Sequence, residues 1–306
     1  MAVTAALVKQ LRETSGAGMM DCKKALEETN GDIDAAIDWL RTKGLATAAK
    51  KSGRVASEGL VAIHVAGTSA AMIELNAETD FVSRNDDFQS LALNLAKLAN
   101  DAADIASLND LAFPNTQRTV AEEITHNIAT IGENMMLRRM KNIKVDKGSV
   151  VSYIHNATAD GMGRIGVLVA LESEADAQTL ESLGKQIAMH VAATKPASLS
   201  VESLDPAMVQ RERDVLIEQA KESGKPQEIA EKMVEGRLRK YYQEVVLLEQ
   251  TFVIDGESKV ADVIKKVAID CGSDITLKEF SLFVLGYGVE KEETDFAAEV
   301  AAQLNK

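Results

Sequence analysis

The sequence has few cysteines, prolines and aromatic residues. Its 306 residues include 2 cysteines, 4 prolines and 4% aromatic residues. Cys22 and Cys271 lie far apart and neither belongs to a C-x-x-C pair, so the sequence shows no sign of a disulfide framework or a zinc site, and a reducing compartment fits. The chain must therefore fold around a hydrophobic core, for which an apolar content of 46% is sufficient.

Positive charge is also in deficit, because 34 lysines and arginines face 47 aspartates and glutamates and leave a formal net charge of −13. Such a surface repels phosphate backbones, which argues against direct contact with nucleic acid. No apolar run approaches the roughly 20 residues of a membrane span. Residues 1–13 have a short amphipathic pattern that charges interrupt too early for a signal peptide. We expect a cytoplasmic protein without membrane contact.

The first fifty residues contain three short helical patterns. Gly16 and Gly18 separate the first two, and Gly31 precedes the third. This predicts a three-helix module with a linker over residues 1–54, in which the small, polar and basic residues 46–54 form the linker. Met19 and Met20 either form an exposed contact surface or fill the module's core, since methionine suits both roles.

A weak internal repeat indicates the architecture of the core. Residues 58–66 can be laid on residues 147–155, and in each copy a turn, a second apolar strand, an acidic loop and a long helix follow. The second strands and the helices are predicted at 72–77 with 88–99, and at 165–171 with 180–193. The pattern predicts an α+β fold with two similar antiparallel-sheet-plus-helix subdomains, one at 55–143 and one at 144–200 with 238–286.

The remaining segments are predicted to be a helical hairpin and a C-terminal module. Residues 201–237 are charged with a sparse apolar stripe, and a turn near 223–226 suits a hairpin that acts either as an association arm or as a solvated helix pair. Alternation predicts strands at 245–254 and 276–285, with a helix at 260–269 between them. A C-terminal helical module is predicted at 287–306, in which Asp295 and Phe296 open a helix that packs or docks on a partner.

The segment from Asn76 to Asn85 links the first repeat's second strand to its helix. Asp80 lies near the helix start, where a carboxylate can cap free N–H groups. Phe81 either packs under the helix as a staple or faces another molecule. The equivalent loop at 172–176 has no aromatic residue, which favours the second alternative, because a structural staple would be expected in both copies.

Motifs for covalent chemistry or cofactor binding are missing. Residues 161–166 match G-x-G-x-x-G, but a strand follows where the nucleotide motif needs a helix, so we interpret the glycines as a hairpin turn. The four histidines lack metal-pair spacing, and no phosphate-binding G-x-x-x-x-G-K-[ST] loop is present. We therefore expect no cofactor and no enzymatic activity. His155 lies at a strand end, and a lone histidine is more often structural.

Several motifs, in order along the chain, resemble the bacterial elongation factor Ts family. They are residues 16–26, Thr79-Asp80-Phe81-Val82, residues 131–134, and residues 187–193 followed by 223–226. The likeness extends from Met19 to Phe296 and so covers essentially the whole chain. The N-terminal module similarly resembles ubiquitin-associated domains.

The resemblance implies a guanine nucleotide exchange factor that binds elongation factor Tu in its GDP-bound and nucleotide-free forms. It assigns displacement of the partner's Mg²⁺ to Thr79, Asp80, Phe81 and Val82. It further implies partner contacts by Met19, Met20, Lys23, Ile131, Gly132, Glu133, Asn134 and His155. The helical hairpin would support a homodimer or a 2:2 complex. Two other functions stay open: an adaptor acting through the ubiquitin-associated-like module, and a nucleotide-dependent enzyme.

Overall fold

The computed structural model describes residues 3–222 and 227–289, and it confirms a mixed helix-and-sheet fold that begins with a helical region. The helices are α1 (Ala5–Ser15), α2 (Met19–Glu28), α3 (Ile33–Lys51), α4 (Asp86–Ala99), α5 (Ile105–Asp110), α6 (Val120–Ile131), α7 (Ala177–Thr194), α8 (Pro206–Glu222), α9 (Gln227–Val245) and α10 (Val260–Cys271). The strands are β1 (Glu58–Ala66), β2 (Ser69–Ala77), β3 (Met135–Lys144), β4 (Gly148–Ala159), β5 (Met162–Ser173) and β6 (Ile275–Val284). None of the helices in these ranges is both long and apolar enough to cross a membrane.

The first three helices pack around a small core that includes Leu11, Cys22 and Leu26. The expected linker is wrong at residues 46–51, because α3 continues through them to Lys51. These residues are rich in alanine, the best helix former, and no breaker occurs before Gly53. This longer α3 packs against α6.

The six strands form one curled antiparallel sheet. β2 pairs with β1 on one side and β3 on the other, while β5 pairs with β4 and β6. The two groups join where Val61 and Ala62 of β1 pair with Gly163 and Met162 of β5. The short junction lets the sheet fold back on itself.

The two strand groups repeat each other in detail. Gly59 of β1 and Gly148 of β4 have φ angles of 118° and 110°. A Cβ at these glycines would lie 2.2 Å from the Leu75 carbonyl oxygen and 2.1 Å from that of Leu171. The same side-chain-free position is therefore required at the start of both units. A register shift also occurs at matching places, at Glu74/Leu75 and at Ala170/Leu171.

Helices cover the outer faces of the curled sheet, and its inner faces pack together. α4 and α6 cover the first group, and α7 and α10 cover the second. Between the inner faces, Met72 and Leu168 belong to a third buried cluster. A Cβ on Gly166 would lie 2.6 Å from Val61 Cγ1 and 2.7 Å from Met72 Sδ. The prediction of a hairpin turn therefore holds for Gly161, whereas Gly163 and Gly166 lie in β5, the latter where the inner faces meet.

Beyond residue 200, α8 and α9 pack as an antiparallel pair that leaves Met208, Val215 and Ile229 largely exposed. Association through this pair stays a prediction. The strand predicted at 245–254 is wrong: α9 runs to Val245 and a 3-10 helix follows at Leu247–Glu249. The predictions for Asp295 and Phe296 lie outside the described residues.

Candidate functional site

Phe81 is the most exposed aromatic residue of the described chain, with 79% of its surface accessible. It begins a four-residue 3-10 helix, Phe81–Arg84, between β2 and α4. The next residue, Val82, is 5% exposed and belongs to the core beneath α4, where Phe88 is fully buried. The staple alternative for Phe81 is therefore wrong, because Val82 and Phe88 fill that position.

The helix cap is provided by Asn85, so the capping role expected for the Asp80 carboxylate is wrong. Asn85 Oδ1 accepts a hydrogen bond of 3.0 Å from Phe88 N at the start of α4. Asp80 instead contributes its main-chain carbonyl, which accepts from Ser83 N at 3.2 Å and from Ser83 Oγ at 2.6 Å. The Asp80 side chain is exposed beside Phe81.

The residues before Phe81 and the turn between α6 and β3 are joined by hydrogen bonds, because each segment supplies a carboxylate that accepts from the other. Glu133 accepts from Thr79 N at 2.9 Å and from Thr79 Oγ1 at 2.7 Å. In the opposite direction, Glu78 Oε1 accepts from Asn134 N at 2.6 Å. Hydrogen bonds to ionised acceptors are about twice as strong as neutral ones. The two turns thus hold each other, and we call this arrangement, comprising Glu78, Thr79, Glu133 and Asn134, the carboxylate clamp.

The end of α3 reinforces the carboxylate clamp. Arg54 pairs with Glu78 at 3.3 Å, and its carbonyl accepts from Asn134 Nδ2 at 2.7 Å. Lys51 donates to the carbonyl of Gly132, which ends α6 with a φ of 90°. These contacts connect the N-terminal helices to the segment that presents Phe81.

The predicted contacts at 131–134 differ in how much surface they offer. Ile131, Gly132 and Glu133 are half-buried, and Glu133 already has both carboxylate oxygens occupied. Asn134 is only 8% exposed and lies between Arg54 and Glu78. A partner would therefore reach this turn mainly at its first residues.

A polar groove of about 440 Å³ separates the Phe81 turn from the end of the β4–β5 hairpin. Asp80 and Arg84 line one side, and Asn156 and Thr158 line the other. His155 precedes these hairpin residues, is exposed, and has its Nδ1 3.1 Å from the Tyr153 hydroxyl. The fold thus brings the neighbours of His155 to the same groove as Asp80.

A second exposed patch lies on the N-terminal helices. Met19 and Met20 are 60% and 74% exposed, so the alternative that they fill the core is wrong. They line a shallow, mainly apolar groove of about 350 Å³ together with Val8, Arg12 and Lys23. Lys23 is exposed and pairs only loosely with Glu27, at 3.8 Å.

These features are exposed and present apolar and hydrogen-bonding groups at two separate places. Within residues 3–222 and 227–289, no group of three histidine, cysteine or acidic residues is placed to hold a metal ion. The exposed aromatic ring, the methionine pair and the polar groove instead provide apolar and hydrogen-bonding contacts for a large partner. The sequence analysis did not identify Arg54 and Glu78 as parts of this site. For Glu78, its place directly before Thr79 was the available signal.

Comparison with known proteins places the chain among translation factors. The family model described as elongation factor TS matches residues 78–287. The chain is 61% identical over 306 residues to elongation factor Ts of Rhodospirillum rubrum, covering 99% of each chain. It is 58% identical over 300 residues to that of Gluconobacter oxydans, covering 98% of this chain and 97% of the relative.

Proposed function

Because the chain belongs to the elongation factor Ts family and is thus a translation elongation factor, we propose that it is a guanine nucleotide exchange factor for elongation factor Tu. It binds the GDP-bound partner, dislocates Mg²⁺, and releases GDP so that GTP can bind. The observation that carries this proposal is the exposed Phe81 ring on a turn fixed by the carboxylate clamp.

Exchange requires no covalent chemistry from this chain. If the factor binds nucleotide-free partner more tightly than GDP-bound partner, nucleotide affinity must fall by the same factor, since binding free energies are reciprocally linked. The factor therefore needs contacts that are better in the nucleotide-free state. It does not need to touch the nucleotide.

Phe81 supplies such a contact when its ring enters an apolar site that opens only as the partner's metal site is distorted. Burying a phenylalanine yields about 1.5 to 3 kcal/mol. Since 79% of its surface is available, we estimate about 1.2 to 2.4 kcal/mol, or roughly tenfold to fiftyfold in an equilibrium constant. Mg²⁺ demands nearly ideal octahedral geometry, so a small displacement of its ligands is enough to weaken Mg²⁺ binding.

The other surfaces hold the partner while the ring acts. Met19, Met20 and Lys23 offer a separate apolar and basic contact on the N-terminal helices, with Ile131 and Gly132 beside the Phe81 turn. His155 offers an exposed contact directly before Asn156, which lines the polar groove. Contacts at separated places on one rigid protein raise affinity through effective concentration, and they prevent the ring from being expelled.

The test is the release of a fluorescent GDP analogue from elongation factor Tu in stopped flow, with the exchange factor at saturating concentration. We expect Phe81→Ala to slow release about tenfold to fiftyfold, from the burial energy above. The matched control is Ile269→Ala, because Ile269 is 70% exposed on α10, and it should release GDP at the wild-type rate. A Phe81→Ala rate equal to that of the control would disprove the proposed role of the ring.

A further inference from the structure

The carboxylate clamp joins two turns that are far apart in sequence, with Thr79 and Glu133 separated by 54 residues. Both oxygens of Glu133 accept hydrogen bonds from Thr79, one from its main chain and one from its hydroxyl. Glu133 is therefore engaged inside the protein, where it uses about two of its roughly four lone-pair sites. Its chemistry points to another role than the direct contact implied by family resemblance.

The segment that Glu133 holds has its other hydrogen bonds after Phe81, where Ser83 Oγ donates to the Asp80 carbonyl at 2.6 Å and Gln89 Nε2 donates to the Ser83 carbonyl at 2.9 Å. The 3-10 helix that begins at Phe81 has four residues, and 3-10 hydrogen bonds have poorer geometry than α-helical ones. Its neighbour Val82 anchors one side in the core, but the Phe81 ring has no such anchor. Without a second fixed point, the turn before Phe81 could rotate and bring the ring onto the protein's own surface.

We propose that Glu133 is a positioning residue that acts through Phe81, by fixing Thr79 so that the ring is presented to the partner in advance of binding. This inference rests on the proposed exchange function. Two hydrogen bonds on Thr79 define the position and the direction of the chain two residues before the ring. Binding affinity falls in proportion to the fraction of molecules in the competent conformation, so loss of this restraint lowers the exchange rate.

Glu78 supports Glu133 from the opposite turn. Its carboxylate holds Asn134 N and thereby fixes the main chain directly after Glu133. Arg54 pairs with the same carboxylate at 3.3 Å. The Glu133 side chain is thus directed at Thr79 by its neighbours, which is the arrangement a positioning group needs.

A merely structural role would give a different result from positioning through Phe81. Damage to the fold would slow exchange to the same extent whether or not residue 81 has a ring. Positioning predicts that the effect of Glu133 disappears once the ring has been removed. A double-mutant cycle measures this difference directly.

The experiment compares the wild type, Glu133→Gln, Phe81→Ala and the double variant in the release of fluorescent GDP from elongation factor Tu, with the exchange factor well below saturation, where the rate follows its affinity. We expect Glu133→Gln to slow release about fivefold to tenfold in the presence of Phe81, which corresponds to a competent fraction of about 10 to 20%. In the Phe81→Ala background, the same substitution should change the rate less than about twofold.

Two further variants test the hydrogen bond from the other side and replace Glu133→Gln if that variant misfolds. Thr79→Val removes the hydroxyl with little change in shape and should slow release. Thr79→Ser keeps the hydroxyl and should restore a rate close to wild type. The far-ultraviolet circular dichroism of each variant should equal that of the wild type.

The outcomes separate this inference from the proposed function. If Phe81→Ala is slow and Glu133→Gln has the same effect in both backgrounds, the positioning role is overturned and the exchange function stands. Equal rates for Thr79→Val and Thr79→Ser would also overturn it. If Phe81→Ala itself exchanges at the wild-type rate, the proposed action of the ring fails, and the positioning role fails with it.

Discussion

The fully buried carboxylate of Glu74 should be one of the most important single groups for stability. It lies on β2, facing the inside of the curled sheet, with no accessible surface. Glu74 Oε1 accepts from Arg138 Nη1 at 3.2 Å and from Gly286 N at 2.9 Å, and Oε2 accepts from Arg139 Nε. A buried charge with three donors is compensated, but it depends on all of them.

The two arginines extend this contact to the end of β6. Arg138 Nη2 donates to the Tyr287 carbonyl at 2.7 Å, and Arg139 Nη2 donates to the Val284 carbonyl at 2.9 Å. The Arg139 guanidinium also lies 4.1 Å from the centroid of the Phe283 ring. Glu74 thereby connects the first strand group to the last strand of the second.

Replacing Glu74 by alanine leaves two arginines and one backbone N–H without their acceptor. Removing one partner of a buried ion pair costs about 3 to 5 kcal/mol. Since the arginine side chains are 23% and 30% exposed and can be partly hydrated, we expect a loss near the lower end, about 3 kcal/mol. With a urea m-value of about 3 kcal/mol/M, the unfolding midpoint should fall by about 1 M.

The measurement is equilibrium urea unfolding followed by circular dichroism. The matched control is Glu174→Ala, which breaks the solvent-exposed pair of Glu174 with Lys147 and should leave the midpoint almost unchanged. Glu74→Gln keeps the shape and one acceptor oxygen and should fall between the two. If the midpoint of Glu74→Ala matched that of Glu174→Ala, the reasoning on this buried charge would be refuted.

Two further predictions concern other parts of the fold. Gly166→Ala places a methyl group between the inner sheet faces and should lower the unfolding free energy by about 1 to 3 kcal/mol. Gly236→Ala has free space around it in α9 and should raise the unfolding free energy by about 0.5 to 1 kcal/mol. Urea titration of both variants checks that the two changes have opposite signs. Burial lowers the pKa of His190, whose Nδ1 accepts from Val253 N at 3.2 Å and whose Nε2 lies 2.9 Å from Gln250 Oε1. The folded state thus favours the neutral ring and the unfolded state binds the proton first, so stability should be full above pH about 6.5 and fall as the pH drops below that value. His190→Gln should show a weaker fall between pH 7.5 and 5.5, and an identical pH dependence would refute the assignment.

Local patterns predicted the elements whose burial follows a simple period. The repeat matched Gly59 with Gly148, and both occupy the same positive-φ position. The contrast between the loops after the two repeats favoured an exposed Phe81, which the structure places at the surface. Such features depend on neighbouring residues, so the sequence contains their signals.

The strand predicted at 245–254 shows why a period alone is insufficient. Burial does not alternate there, since the adjacent Val246 and Leu247 are both fully buried. Leu247 N and Leu248 N donate to the carbonyls of Ser198 and Leu199, at 2.9 and 3.1 Å. These two acceptors lie in the loop between α7 and α8. An alternating sequence pattern over so short a segment therefore identified neither the buried side chains nor the backbone partners.

Local sequence patterns did not predict contacts between residues that are distant in sequence, although the sequence contained a signal for one of them. Nothing near Thr79 indicates that its acceptor is Glu133, 54 residues away. Glu74, by contrast, interrupts an apolar strand, and a charge in such a strand needs a buried counter-charge. The adjacent pair Arg138-Arg139 was available elsewhere in the chain to supply it.

Under the proposed function, the important difference between the two repeats is the turn that carries Phe81. In the second repeat, Ser173 Oγ donates to the Asp274 carbonyl at 2.6 Å and accepts from Ala175 N at 3.0 Å, so one serine hydroxyl links that turn to the turn between α10 and β6. In the first repeat, the corresponding turn is linked to the turn between α6 and β3 through the Glu133 carboxylate, and it carries Phe81 outward. A turn that needs only to connect strand to helix can be closed by one serine. A turn that must present an aromatic ring to another protein needs rigid support that leaves the ring itself free, and the carboxylate clamp provides that support.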